Sequence, residues 1–153
     1  MNFLDQSQAV LDHISDQAGI DPFTFDQEGR AFFAANHMSF LFYALEEEQT
    51  LVIAIYIGQP DLDDATLLYS ILCGNHLWEL TGGGSLSIDR DTGHLCLHHR
   101  LDFPLEEMGE VEPFFANLLG AADYWKEIIS KADKRRDQAF TGAGAGTDHF
   151  IRV

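Results

Sequence analysis

Two neighbouring apolar runs constrain this chain more than anything else in it. Residues 38–46 read Met-Ser-Phe-Leu-Phe-Tyr-Ala-Leu-Glu and residues 50–58 read Thr-Leu-Val-Ile-Ala-Ile-Tyr-Ile-Gly, with Glu46-Glu47-Glu48-Gln49 at the junction. Aromatic and β-branched side chains dominate both runs, and a β-hairpin is the economical reading. With Leu45 placed opposite Leu51, one face carries Leu41, Tyr43, Leu45, Ile53, Ile55 and Ile57. The other then carries Met38, Phe40, Phe42, Ala44, Val52, Ala54 and Tyr56. Neither face is polar, whereas an antiparallel hairpin with one wet side alternates apolar and polar residues. The hairpin therefore needs cover on both sides, and another chain is a natural source of the second cover.

The remaining elements fall around it. Residues 3–18 place Leu4, Leu11, Ile14 and Ala18 on one helical stripe, and Gly19 offers a stop. Asp21-Pro22 opens an extended stretch in which Phe23 and Phe25 alternate with polar residues, followed by a short strand over 31–34. Pro60 and the acids Asp61, Asp63 and Asp64 suit the start of a second helix over 61–80. Its apolar residues, Leu67, Leu68, Ile71, Leu72, Leu77 and Trp78, span more than one stripe and predict burial on two sides. Strands over 85–89 and 94–101 follow, joined by the turn chemistry of Arg90-Asp-Thr-Gly93. A last helix over 111–136 repeats Val111, Phe114, Phe115, Leu118, Ala122, Trp125, Ile129 and Ala132 at spacings of three and four.

The order is helix, three strands, helix, two strands, helix. This predicts an α+β fold, with three helices and a twisted antiparallel sheet, because the elements do not alternate as βαβ units. One domain over 1–137 accounts for these elements, and the Gly/Ala-rich residues 138–153, ending in Phe150-Ile-Arg-Val153, read as a flexible tail.

Charge narrows the function classes. Residues 1–125 carry three basic and twenty-one acidic side chains, net −18, while residues 126–153 carry six and four, net +2. Affinity for a phosphate backbone rests on Lys and Arg displacing counterions, so nucleic acid is a poor partner for this body, as is an anionic membrane. The cluster Lys126, Lys131, Lys134, Arg135 and Arg136 suits the C-terminal end of a helix dipole. No run has the length of a membrane span and the first residues lack a signal-peptide pattern, so the expected location is the cytosol. Cys73 and Cys96 stand in apolar stretches without a C-x-x-C partner and are expected to be buried free thiols.

Motifs with chemical meaning are sparse. Gly82-Gly-Gly84 leads into a strand without a following Lys-Ser or Lys-Thr, which favours a helix stop over a phosphate loop. Asp91-Thr-Gly93 matches an aspartic-protease motif, but occurs once between two short strands, and a turn explains it better. As a calcium loop opening at Asp89, the same stretch would need a Glu where Arg100 stands. His94, Cys96 and His98 alternate along one strand and share a face, so two of them can reach one metal ion. A small metal-dependent enzyme built on these three is the less favoured alternative. His13, His37, His76 and His149 have no evident triad context, and the acid pairs read as solvated loops. What is left over is apolar surface in a strongly acidic chain, and such surface usually marks a protein interface.

The middle of the chain carries Leu68-x-x-x-Leu72-Cys-Gly-Asn75, then Thr81-Gly-Gly83, Leu86-x-Ile88-Asp89, Thr92-Gly93, Leu97 and Leu101. Leu105-Glu-Glu and the helix with Phe115, Ala122 and Trp125 continue the series. In this order and spacing the chain resembles the class I type III secretion chaperones of the Tir chaperone (CesT) family, over about residues 3–136. The resemblance implies an acidic homodimer of the bacterial cytosol, with no cofactor, metal or catalysis. Such a chaperone binds the N-terminal segment of a secreted effector, keeps it secretion-competent and delivers it to the secretion apparatus and its ATPase. It further implies dimer contacts at Leu67, Ile71, Trp78 and Leu95, and effector contacts at Phe32, Phe33, Met38, Phe40, Phe42 and Tyr56. The expected mode is strand addition at an exposed sheet edge. An interaction or regulatory protein with this fold and no secretion role is the other reading. The chain departs from the family pattern in the Gly/Ala-rich tail after Lys134-Arg-Arg136.

Overall fold

The structure is a computed structural model in which residues 2–144 are described. Helix α1 (Phe3–Ala18) begins where the Asn2 side chain accepts the Asp5 N–H and ends at Gly19, whose φ of 63° supplies the left-handed cap. It buries Phe3, Val10, Leu11 and Ile14. Strands β1 (Arg30–Ala35) and β2 (Met38–Leu45) are joined by Asn36 and His37, both at positive φ, which is the twist a two-residue hairpin requires.

Strand β3 (Thr50–Gly58) then pairs with β2, and here the register differs from the sequence expectation. Leu45 lies opposite Thr50, Ala44 opposite Leu51, Phe42 opposite Ile53 and Phe40 opposite Ile55. The loop is one residue shorter than an alignment of Leu45 with Leu51 demands, closed by Gln49 at φ 51° with its N–H on the Glu46 carbonyl. A one-residue slip exchanges the faces of one strand relative to its partner. The inner face is therefore Met38, Phe40 and Phe42 with Leu51, Ile53, Ile55 and Ile57, all buried. The outer face is Leu41, Tyr43 and Leu45 with Val52, Ala54 and Tyr56.

The second helix is shorter than expected. Helix α2 (Ala65–Gly74) starts at Asp64, whose carboxylate accepts the Leu67 N–H, and a 3₁₀ turn over His76–Trp78 replaces its expected last turns. The helical path is lost at Leu77 and Trp78, both at φ 57°, and Gly74 just before them lets the Trp125 ring approach, since a Cβ there would lie 2.2 Å from it. Strands β4 (Ser85–Ile88) and β5 (Leu95–Asp102) complete an antiparallel sheet of order β1-β2-β3-β5-β4. The Asp89 carboxylate accepts the N–H groups of Asp91 and Thr92, making the 90–93 segment a turn.

Helix α3 (Val111–Gly144) lays Val111, Phe115, Leu118, Ala122, Trp125, Ile129 and Ala132 into the core, the stripe expected from its spacing. It continues past the boundary expected at residue 137, and the rest of the expected tail, 145–153, lies outside the described residues. At 34 residues it is about 50 Å long. The core packs helices against one side of the sheet: Phe115 of α3 meets Phe40, and Phe33 and Phe42 both meet Phe23.

Candidate functional site

The helices cover the inner face of the sheet, and among the described residues no helix covers the other. Its rows run Phe32, Leu41, Ala54, His98 and Ser85, then Arg30, Tyr43, Val52 and Arg100. The side chains shelter one another in the middle of the face, and Phe32 at its edge is 57% exposed.

The β1 edge adjoins this face. Arg30 pairs with Tyr43 in a position where its own N–H and C=O point away from β2, and both are taken internally: the Asp26 carboxylate accepts the N–H and the Asp26 N–H donates to the C=O. Two and four residues on, Phe32 and Ala34 present their N–H and C=O groups in the same outward direction. Among the described residues none hydrogen-bonds to them. The strand edge is thus open over Phe32–Ala34, with an exposed phenyl ring beside it.

A second apolar surface lies on α2 and the turn after it. Tyr69, Leu72, Leu77 and Trp78 are 69%, 71%, 64% and 58% exposed, with the Cys73 thiol exposed among them. Leu77 and Trp78 both sit at φ 57°. A bulky residue in the left-handed region costs of order 1–3 kcal/mol. Neither side chain recovers that by burial in its own chain. The Trp78 carbonyl holds the turn by accepting the Thr81 and Gly83 N–H groups.

The expected binding residues divide between surface and core. Of the effector set, Phe32 is exposed and Tyr56 half-buried on the outer face, its hydroxyl donating to Asp89 at 3.1 Å. Phe33 points inward and stacks on Phe40 at 4.4 Å. Met38, Phe40 and Phe42 are core residues, at most 3% exposed, and the expectation that they face a partner is corrected along with the register that produced it. Of the dimer set only Trp78 is exposed, since Leu67, Ile71 and Leu95 fill the core of their own chain. Leu72 and Leu77 stood in the broad apolar surface expected of this helix but not among the expected dimer contacts, and Tyr69 was not singled out at all. Helical phase separates two stripes, with Leu67, Ile71 and Gly74 buried on one side, Gly74 against Trp125 and Leu86, and Tyr69, Leu72 and Cys73 opposite.

His94, Cys96 and His98 do not assemble into a site. Among the described residues no group of three or more His, Cys, Asp and Glu side chains is placed to hold a metal. Cys96 is buried, and its thiol is pushed up to about 11 by that burial and, secondarily, by the Asp89 charge. Burial, aided by the neighbouring His99, holds His98 below the usual imidazole range. The ring of His94 packs edge-on against Tyr56. Cys73 corrects the expectation of two buried thiols, because it faces solvent.

A domain with a sheet face free of helical cover among the described residues, an open strand edge and a strained apolar turn on its surface belongs to the class of polypeptide-binding modules. The model of the Tir chaperone protein (CesT) family matches residues 9–126, most of the chain, and the chain belongs to that family. No curated protein matches it significantly. Solved structures share its fold. A chain of the ExsC–ExsE complex superposes with a TM-score of 0.72 at 18% identity, covering 84% of this chain and 97% of that one. A chain of the HopA1–SchA chaperone–effector complex gives 0.63 at 18%, covering 79% and 93%. The Yersinia pestis type III secretion chaperone SycH, in complex with a stable fragment of YscM2, gives 0.58 at 18%, covering 79% and 98%. By family and fold the chain is a type III secretion chaperone. Among its described residues no helix is long and apolar enough to cross a membrane.

Proposed function

We propose that this chain acts without catalysis, as a cytoplasmic homodimer that holds the N-terminal segment of a secreted effector extended until the secretion apparatus and its ATPase take it over. The observation that carries this reading is the open edge of β1. An effector segment laid along it gains main-chain hydrogen bonds from Phe32 and Ala34 whatever its side chains. Phe32 on one side and the outer sheet face, with Leu41 and Tyr43, supply the apolar contacts that select among clients. The ExsC–ExsE and HopA1–SchA complexes support the reading, being chains of this fold captured with partner proteins. The second copy is assigned to the Tyr69, Leu72, Leu77 and Trp78 surface, where burial offsets the strain of the turn.

The test is capture of the exported protein that co-purifies with the chaperone from its native cell, identified by mass spectrometry and then co-expressed. Ala34→Pro removes only an outward N–H, which an edge strand tolerates. The expected result is a folded dimer with client capture reduced severalfold to about tenfold, on the order of the one hydrogen bond lost. Undiminished capture by the folded variant would show that strand addition at β1 is not the mode.

A further inference from the structure

The sheet has two edge strands, and they are treated differently. On β4 the pairings Leu86 with Leu97 and Ile88 with Leu95 leave the N–H and C=O of Leu86 and Ile88 facing away from β5. The groups of Leu86 are nevertheless filled. The Asn75 side-chain oxygen accepts the Leu86 N–H at 2.7 Å and its amide nitrogen donates to the Leu86 C=O at 3.2 Å. One amide thus makes the two bonds that a residue of an adjoining strand would make. At the preceding outward position, the Gly84 N–H donates to the Thr81 carbonyl at 3.0 Å and the Gly84 C=O accepts the Thr81 hydroxyl at 2.7 Å. Thr81 is fully buried. Two successive outward positions are closed by the chain itself, and among the described residues none hydrogen-bonds to the outward groups of Ile88 at the strand end. On β1 the proportion is reversed, with Arg30 closed by Asp26 and both Phe32 and Ala34 open.

We infer that Asn75, backed by Thr81, is an edge guard: its side chain stands in for a sixth strand on β4, so that this sheet accepts an added strand on β1 alone. The inference rests on the reading that the sheet binds by strand addition, and it adds where that binding is forbidden. An unguarded β4 would invite the same strand of a second copy, since exposed edges template pairing with another chain. A protein that keeps β1 open for a client gains from closing the other edge, because two open edges allow open-ended assembly. The guard leaves the α2 surface free for dimer formation through side chains, without a continuous sheet across the two copies.

Amide hydrogen exchange on the full-length wild-type protein without client tests this directly. The expected result is exchange of the Leu86 and Gly84 amides on the order of a hundredfold slower than those of Phe32 and Ala34. Exchange at Leu86 as fast as at Ala34 overturns the guard. Sedimentation of Asn75→Ala is the second arm: folded by circular dichroism, it should form larger species as its concentration rises, and Ile88→Pro added to it should suppress them by removing the remaining outward N–H. A folded Asn75→Ala that stays the size of wild type, or whose assembly Ile88→Pro leaves unchanged, also overturns the guard. If Asn75→Ala does not fold, the wild-type exchange rates alone decide. Failure of the β1 reading is a separate outcome, because Ala34→Pro would then retain its client while Leu86 stays protected.

Discussion

Phe32 and Phe33 are sequence neighbours on opposite faces of the sheet, one 57% exposed on the outer face and the other half-buried and stacked on the core residue Phe40. The same alternation places Phe42 inside with no exposed surface. Phe42→Ala should cost about 3–5 kcal/mol, read as a fall in the urea midpoint with an unchanged slope. Phe32→Asp should stay within about 0.5 kcal/mol of wild type in the same titration while weakening client capture. If Phe42→Ala were as harmless as Phe32→Asp, the pairing of Phe42 with Ile53 would be wrong. No pattern in the sequence separated these rings, since both faces of the hairpin are apolar and a slip of one residue leaves the composition of each face nearly unchanged. Thiol chemistry separates the cysteines in the same way: Cys73, on the surface of its own chain, should react with a disulfide reagent while the protein is folded, faster as dilution separates the two copies, and Cys96, buried and raised to about 11, only on unfolding.

Among the elements, α3 was the most legible. Its apolar residues recur at three and four and nearly all of them are buried as that period requires. α2 was the least legible, because two apolar stripes on one short helix do not say which faces the sheet. Gly74 decides it, by admitting the Trp125 ring where any side chain would collide. The surface this leaves bare ends in the strained pair Leu77 and Trp78. Leu72→Asp combined with Trp78→Asp should yield a folded monomer by sedimentation velocity, with Cys73 reacting faster than in the wild-type dimer. A wild-type protein that is itself monomeric at micromolar concentration would remove α2 as the dimer surface.

At the scale of the whole molecule, net −18 on residues 1–125 surrounds the surfaces that bind. Crowded like charges oppose both compaction and the meeting of two copies, and salt screens them, the Debye length falling from about 30 Å at 0.01 M to about 8 Å at physiological ionic strength. Thermal stability and dimer affinity should therefore both rise with sodium chloride over that range, measured by melting and by sedimentation equilibrium. A fall in both would mean that attractive ion pairs, such as Arg136 with Asp61, outweigh the general repulsion. The sequence by itself determined the class of fold, the number and order of the helices and strands, and a family whose motifs are local in the chain, because periodicity, turn residues and net charge are properties of neighbours. Only the tertiary structure decided which of the many apolar residues are surface. That depends on a one-residue register, on the single side of the sheet that the helices occupy, and on Asn75 reaching across to Leu86, all of which are relations between residues far apart in the chain.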